Sequence, residues 1–234
     1  MKIVGVDGCR GRWLAVAMDN DTSSIAASIH ATPDALLQDY PDAAAIALDM
    51  PIGLTCKDPR ECDIAARRLL GWPRSSSVFP APIRPALSAL SREEADRITR
   101  EQDGRGVGCQ AWNIYKHVLA WDTLLRRDDG ARKQVFEVHP EVSFYAMNGQ
   151  KPLLQRKKSP EGKKWRRQLL DKSFGRTRVS AALADLDGER FGMDDFHDAL
   201  VALWSAYRIV RKKACCLPEQ PPIDTYGLKM GIWY

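Results

Sequence analysis

The sequence predicts an α/β protein built on a mixed sheet, and three observations carry that reading. Three apolar or β-branched runs open the chain with only tight turns between them. A continuous apolar run at residues 43–48 then follows a short helical pattern, as a strand buried on both faces requires. From there to the end, helical and strand patterns alternate. A three-stranded antiparallel start, extended by parallel strands and flanked by helices, combines all three.

Each element has a local reason. The opening strands are expected at residues 2–6, 13–18 and 25–30. They are joined by the Gly-containing turn Asp7-Gly8-Cys9-Arg10-Gly11-Arg12 and by Asp19-Asn20-Asp21, connections short enough only for antiparallel neighbours. Thr32 as N-cap and Pro33 at the first helical position start a helix over residues 33–38. The run at 43–48 ends on Asp49, and Pro51 and Gly53 break the chain. Residues 60–70 read as a helix closed by Gly71, and residues 74–85 as a Ser- and Pro-rich loop. Helices follow at 92–102 and 110–126, the second with Trp112, Tyr115, Leu119 and Leu125 on its apolar side. A strand is expected at 134–138, and a basic stretch at 156–167 leads into a further helix. The last long helix covers 195–213 behind Phe196, Leu200, Leu203, Trp204 and Tyr207, with Asp194 or Asp195 as its N-cap. Residues 227–233 form a short final strand. There is no internal repeat, low-complexity tract or Gly/Ser linker.

Composition excludes several classes of protein. With 44% hydrophobic and 28% charged residues over 234 positions, the chain is not a disordered one. No stretch approaches the roughly 20 apolar residues of a membrane span. Asp7 interrupts the N-terminal apolar run too early for a secretory segment, so a soluble, unexported, cytoplasmic protein is expected. The six cysteines contain no C-x-x-C pair and the four histidines no zinc spacing, which points to free thiols in a reducing compartment. Net charge is +5, divided as −1 over residues 1–100 and +6 over 101–234. That surplus hints at a polyanionic partner.

Four acidic residues stand where acids are structurally awkward. Asp7 and Asp49 end strands one and four, Glu137 is near the end of the fifth, and Asp198 lies in the second turn of an otherwise apolar helix. Ligands of open α/β sheets bind at the carboxyl ends of strands, so parallel neighbours would bring Asp7 and Asp49 to one place. Clustered buried carboxylates repel, and a divalent cation relieves that cost. Mg²⁺ and Mn²⁺ take oxygen ligands, and two such ions about 3.5–4 Å apart suit phosphodiester chemistry. Structural alternatives stay open for each: an Asx-turn for Asp7 before Gly8, a turn at Asp49, an arginine partner for Glu137, a solvated helix face for Asp198.

Several motifs, in order, resemble an uncharacterised family of predicted RNase H-like nucleases. They are Val4-Gly5-Val6-Asp7-Gly8-Cys9-Arg10-Gly11-Arg12-Trp13-Leu14, Asp49-Met50-Pro51-Ile52-Gly53-Leu54, residues 60–71, and Ser76-Ser77-Val78-Phe79-Pro80-Ala81-Pro82. Glu137-Val138-His139-Pro140-Glu141-Val142-Ser143-Phe144, Asp195-Phe196-His197-Asp198-Ala199-Leu200-Val201-Ala202, residues 157–162 and Gly227-Leu228-Lys229-Met230 complete the set. The resemblance spans nearly the whole chain. It implies one RNase H-like domain over residues 1–234 with a helical insertion at 56–129, and acidic site positions at Asp7, Asp49, Glu137 and Asp198.

The expectation is therefore a Mg²⁺- or Mn²⁺-dependent phosphodiesterase acting on DNA or RNA, with Asp7, Asp49, Glu137 and Asp198 as metal ligands and catalytic groups. Arg74, Lys157, Lys158, Lys163, Lys164 and Trp165 are weaker candidates for backbone contact and base stacking. A solvated helix face explains the same basic run, and a rigid lid explains the Ser75–Pro82 loop as well as phosphate binding does. His139 and His197 read as structural groups, and Cys9 as a thiol without an evident base. Two rivals remain. One is a non-catalytic domain binding nucleic acid or protein. The other is an actin-like or sugar-kinase-type ATP-binding protein, for which Val4-Gly5-Val6-Asp7-Gly8 would be the phosphate turn.

Overall fold

The computed structural model describes residues 1–19 and 21–234. The chain opens with β1 (Lys2–Cys9), β2 (Arg12–Asp19) and β3 (Ile25–His30). Asn20, in the turn expected between β2 and β3, lies outside the described residues. Then come α1 (Pro33–Asp39), β4 (Ala45–Leu48), α2 (Glu61–Leu70), α3 (Arg92–Asp103), α4 (Cys109–Trp112), α5 (Tyr115–Arg127), α6 (Asp129–Gln134) and β5 (Val135–Glu137). The last part holds α7 (Pro140–Met147), α8 (Pro160–Phe174), α9 (Arg176–Ala184), α10 (Met193–Val210), β6 (Cys216–Leu217) and β7 (Ile232–Trp233).

The main sheet has the order β3-β2-β1-β4-β5. The first three strands are antiparallel, while β4 lies parallel to β1 and β5 parallel to β4. This is the mixed sheet expected from three hairpin strands followed by strands reached through helical crossovers. β6 and β7 pair separately, and a parallel bridge from Val138 to Trp233 joins them to the end of β5.

Strand alternation divides the core. Ile3 and Cys9 of β1 face a cluster containing Phe196, Ala199, Leu200 and Leu203 of α10. Val4 and Val6 face the opposite cluster, with Leu36 of α1 and Trp121 and Leu125 of α5. Helices thus cover both faces, and β4 is buried at all four positions, as its unbroken apolar sequence requires.

Local signals account for most boundaries. Thr32 accepts a hydrogen bond from the Ala35 N–H and caps α1, with Pro33 at its first position. Gly71 closes α2 at φ 61°. Three expectations need correction, besides the final strand, which covers only Ile232–Trp233 of the expected 227–233. The helix expected at 110–126 is two, because at Ile114 and His117 the backbone bonds tighten to the third preceding carbonyl. The N-cap of α10 is Gly192, and Asp195 sits inside the first turn, where its carboxylate accepts the Gly192 N–H at 2.9 Å. The loop at 74–85 contains two short 3₁₀ turns, Arg74–Ser77 and Arg84–Ala86. α7 had no amphipathic signature to read, because Pro140 through Phe144 are all buried. No helix among the described residues is long and apolar enough to cross a membrane.

Candidate functional site

The parallel pairing of β1 and β4 ends at Val6 opposite Leu48, and the Asp49 N–H then donates to the Val6 carbonyl at 2.9 Å. Asp7 and Asp49 therefore lie at the same level, Asp49 just past the end of β4, and Asp7 still inside β1, which runs on to Cys9 paired with β2 rather than ending at Asp7 as expected. Asp7 shares a face of β1 with Gly5, the face covered by α10. A Cβ on Gly5 would lie 2.0 Å from the Leu203 nitrogen and 2.2 Å from the Ala199 carbonyl oxygen. Only glycine lets the helix backbone come so near the strand. That approach carries Asp198, next to Ala199, to the strand ends. Asp7, Asp49 and Asp198 all line one cavity of about 680 Å³.

Their surroundings disfavour the ionised forms. Asp7 and Asp198 are buried and Asp49 is half-buried. Burial, then the neighbouring Asp49 and Asp198, holds the Asp7 carboxyl well above the usual carboxylate range. Burial also raises Asp49, although His139, Lys157 and a hydrogen bond with Asp7 oppose it. Asp198 is pushed up to about 6, chiefly by burial; Lys157 pulls it down and Asp49 pushes it further up. Lys157 donates to Asp198 Oδ2 at 2.8 Å, and that carboxylate is the main reason its ammonium is held protonated. Asp198 Oδ1 is buried without a hydrogen-bond partner.

Glu137, the fourth expected acid, lines the same cavity but its oxygens are already taken. Arg60 donates Nη1 to Oε2 at 2.8 Å and Nη2 to Oε1 at 2.7 Å, and the Ile52 N–H donates to Oε2 at 2.7 Å. Asp63 accepts from the other side of the same guanidinium at 2.6 Å. Among the described residues, Cys62, Asp63 and Glu137 form the one group whose metal-ligating atoms all lie within 4.8 Å of each other. By distance that group could hold a metal, but Arg60 already fills it with a cation fixed by a bidentate pair.

Glu141 was not among the acids singled out in the sequence. It acts electrostatically on both Asp49 and Asp198. Arg166 holds its Oε1 at 2.5 Å, while Oε2 has no hydrogen bond and lies 3.8 Å from Arg74 Nη1. The readable signal was an acid in the first turn of a helix that Pro140 starts directly after a strand end.

The basic candidates divide. Arg74, Lys157 and Lys158 line the cavity together with Arg156 and Arg10. Lys163, Lys164 and Trp165 are exposed on α8, outside the cavity lining. The Ser76 and Ser77 hydroxyls donate to the Pro73 and Arg74 carbonyls at 2.8 and 2.7 Å, so their protons serve the 3₁₀ turn. Burial raises the Cys9 thiol to about 11, which leaves no thiolate nucleophile near neutral pH. His197 is lowered to about 4, mainly by burial, and stays neutral.

The fold and site together define an α/β protein with a pocket of mixed acidic and basic lining at the carboxyl ends of its parallel strands. A family model described as protein of unknown function, DUF429, matches residues 5–223, and the chain belongs to that family. No curated protein and no solved structure gives a significant match.

Proposed function

We propose that this protein is a divalent-metal-dependent nuclease on an RNase H-like fold, hydrolysing phosphodiester bonds of DNA or RNA. The strand order β3-β2-β1-β4-β5, with only β2 antiparallel to its neighbours, supports that fold. In this reading residues 1–234 are one domain, and α2 to α5, between β4 and β5, belong to an insertion at 56–129.

The observation that carries the function is the convergence of Asp7, Asp49 and Asp198 in one cavity with a basic rim. The donors of these groups suit Mg²⁺ or Mn²⁺, and their oxygens, which do not all lie within 4.8 Å of one another, would have to close around an ion. The donors are carboxylate oxygens, the Asp198 Oδ1 lacks a partner, and burial makes their charge costly without a cation. Asp7, Asp49 and Asp198 would hold the metal, which when bound supplies Lewis-acid stabilisation of charge developing at phosphorus. Arg74 and Lys158 would bind the flanking phosphates. Glu137 serves by fixing Arg60 and the Ile52 backbone beneath the site, rather than as a ligand.

The test is cleavage of labelled single strands, duplexes, RNA–DNA hybrids and branched junctions with Mg²⁺, Mn²⁺ or chelator. Metal-dependent products that vanish in Asp7→Asn and Asp49→Asn, with the fold retained, are expected. Cleavage surviving in those variants would assign the activity elsewhere. The Lys157–Asp198 ion pair favours one rival, a nucleic-acid-binding domain without turnover, because it already balances part of the acidic charge. Metal-independent binding with no products would decide for that rival.

A further inference from the structure

A second cavity, of about 390 Å³, lies in the helical region between β4 and β5. It adjoins the cavity of the three aspartates along two strips of chain. On one strip Val78 lines the first cavity, Phe79 lines both, and Pro80 and Ala81 line the second. On the other, Asn113 and Ile114 belong to the first lining, and Ala111 and Tyr115 to the second.

The second cavity is chemically unlike the first. Its walls are mostly apolar and include two aromatic rings. Phe79 is 42% exposed, whereas Tyr115 is buried and backed by Trp112, with ring centroids 5.0 Å apart. Arg105 is the one charged residue in the lining, and Asp103 already holds its guanidinium at 2.9 Å. Thr99 makes the buried face of α3 together with Ala95, one turn earlier, so its side chain points inward to the wall it forms. It is 5% exposed, and its Oγ1 has no hydrogen-bond partner. Burial raises the neighbouring Tyr115 phenol and Thr99 opposes that rise, but the two hydroxyls are not in bonding geometry. A buried hydroxyl left unpaired is unfavourable, and a ligand that bonds to it removes that cost.

We infer that this cavity receives an unpaired nucleobase of the nucleic acid whose phosphate is held in the adjoining one. The inference rests on the nuclease reading and names the form of its substrate, a single-stranded or flipped-out segment. A base offers a flat face to Phe79 and Tyr115, polar edge atoms to the Thr99 hydroxyl, and no charge to bury against apolar walls. A backbone phosphate offers none of these. Bases of an intact duplex must first leave the stack, at a cost in binding.

Cys109 reports occupancy, because it is a free, exposed thiol in the lining, while Cys215 is exposed outside it. Alkylation by iodoacetamide in chelator, mapped by peptide mass spectrometry, reads the cavity without turnover. A bound single-stranded oligonucleotide should slow alkylation of Cys109 several-fold and leave Cys215 unchanged. The same strand with abasic sugars throughout should bind through its phosphates and protect little. Thr99→Val keeps the shape of the side chain and should be at least as stable as wild type. It should lose about tenfold in affinity for the base-containing strand and nothing for the abasic one. Phe79→Ala should lose about tenfold or more through stacking. Unprotected Cys109 under saturating oligonucleotide, equal protection by the abasic strand, or full affinity in Thr99→Val would overturn the inference. A wild type that binds no oligonucleotide and cleaves none would sink the nuclease reading. Adenosine as the probe then tests the cavity on its own: protection of Cys109 supports a base site, and no protection overturns it.

Discussion

Gly5 of β1 and Leu203 of α10 touch backbone to backbone, with no room for even a methyl group between them. The contact is a packing feature with a chemical consequence, because the same helix carries Asp198 and the same strand carries Asp7. Gly5→Ala must push α10 outward by more than an ångström. A loss of about 2–3 kcal/mol in urea unfolding is expected, as for other overpacked cores. Mn²⁺ affinity should fall at least tenfold in the protein that remains folded. A variant of full stability and affinity would show that this approach does not set the site.

The acid cluster makes a prediction about pH. Asp198 titrates at about 6 in the folded chain against 3.8 for a free aspartate, so the folded state holds this proton more tightly. The stabilisation is complete below about pH 4 and is lost as pH rises through 6; two units correspond to about 3 kcal/mol. Asp7 and Asp49 shift in the same direction. Asp96, Asp103 and Asp224 are lowered and work the opposite way, so the contribution must be read by difference. In chelator, Asp198→Asn should gain stability relative to wild type as pH rises from about 4 to 6.5, and hold that gain at higher pH. A difference that is flat with pH would contradict the assignment.

Arg60 is the cation on which Glu137 and Asp63 depend. All three are buried, and the guanidinium also donates to the Ile52 and Gly53 carbonyls. Arg60→Met leaves two buried carboxylates without a counter-charge, a change that costs about 3–5 kcal/mol in comparable sites. Chemical denaturation measures it. Arg60→Lys should recover only part of the loss, since an ammonium cannot span both carboxylates as the fork does. Full stability in Arg60→Met would mean that Glu137 finds another cation, and would reopen it as a metal ligand.

How far the sequence reached follows from which interactions are local. β1 to β4 and the Thr32 cap were legible, because alternation, turns and capping act within a few residues. Asp7 and Asp49 followed from one further step, the parallel pairing of two strands. Glu137 looked identical to them at that level. What separates it is Arg60, which is 77 residues away in sequence and reaches Glu137 only through the packing of α2. Lys157 was visible as one of seven basic residues in its stretch, yet nothing local distinguished it from Lys163 or Lys164. Its partner Asp198 lies 41 residues on. α7 escaped notice for a different reason: a helix buried all round its first turns has no polar face to mark its period.

That division among the basic residues yields the last prediction. Arg74 and Lys158 line the cavity, whereas Lys163 and Lys164 stand outside it on α8. Each lost phosphate contact lowers the slope of log affinity against log salt by about 1. Arg74→Ala and Lys158→Ala should each show that fall with a non-cleavable oligonucleotide, and weaken binding alike for all sequences. Arg74 also lies near Glu141, so Lys158→Ala is the cleaner of the two. Lys163→Ala and Lys164→Ala should leave the slope as it is. The reverse pattern would move the nucleic-acid path onto the exposed face of α8, beside Trp165, and away from the three aspartates.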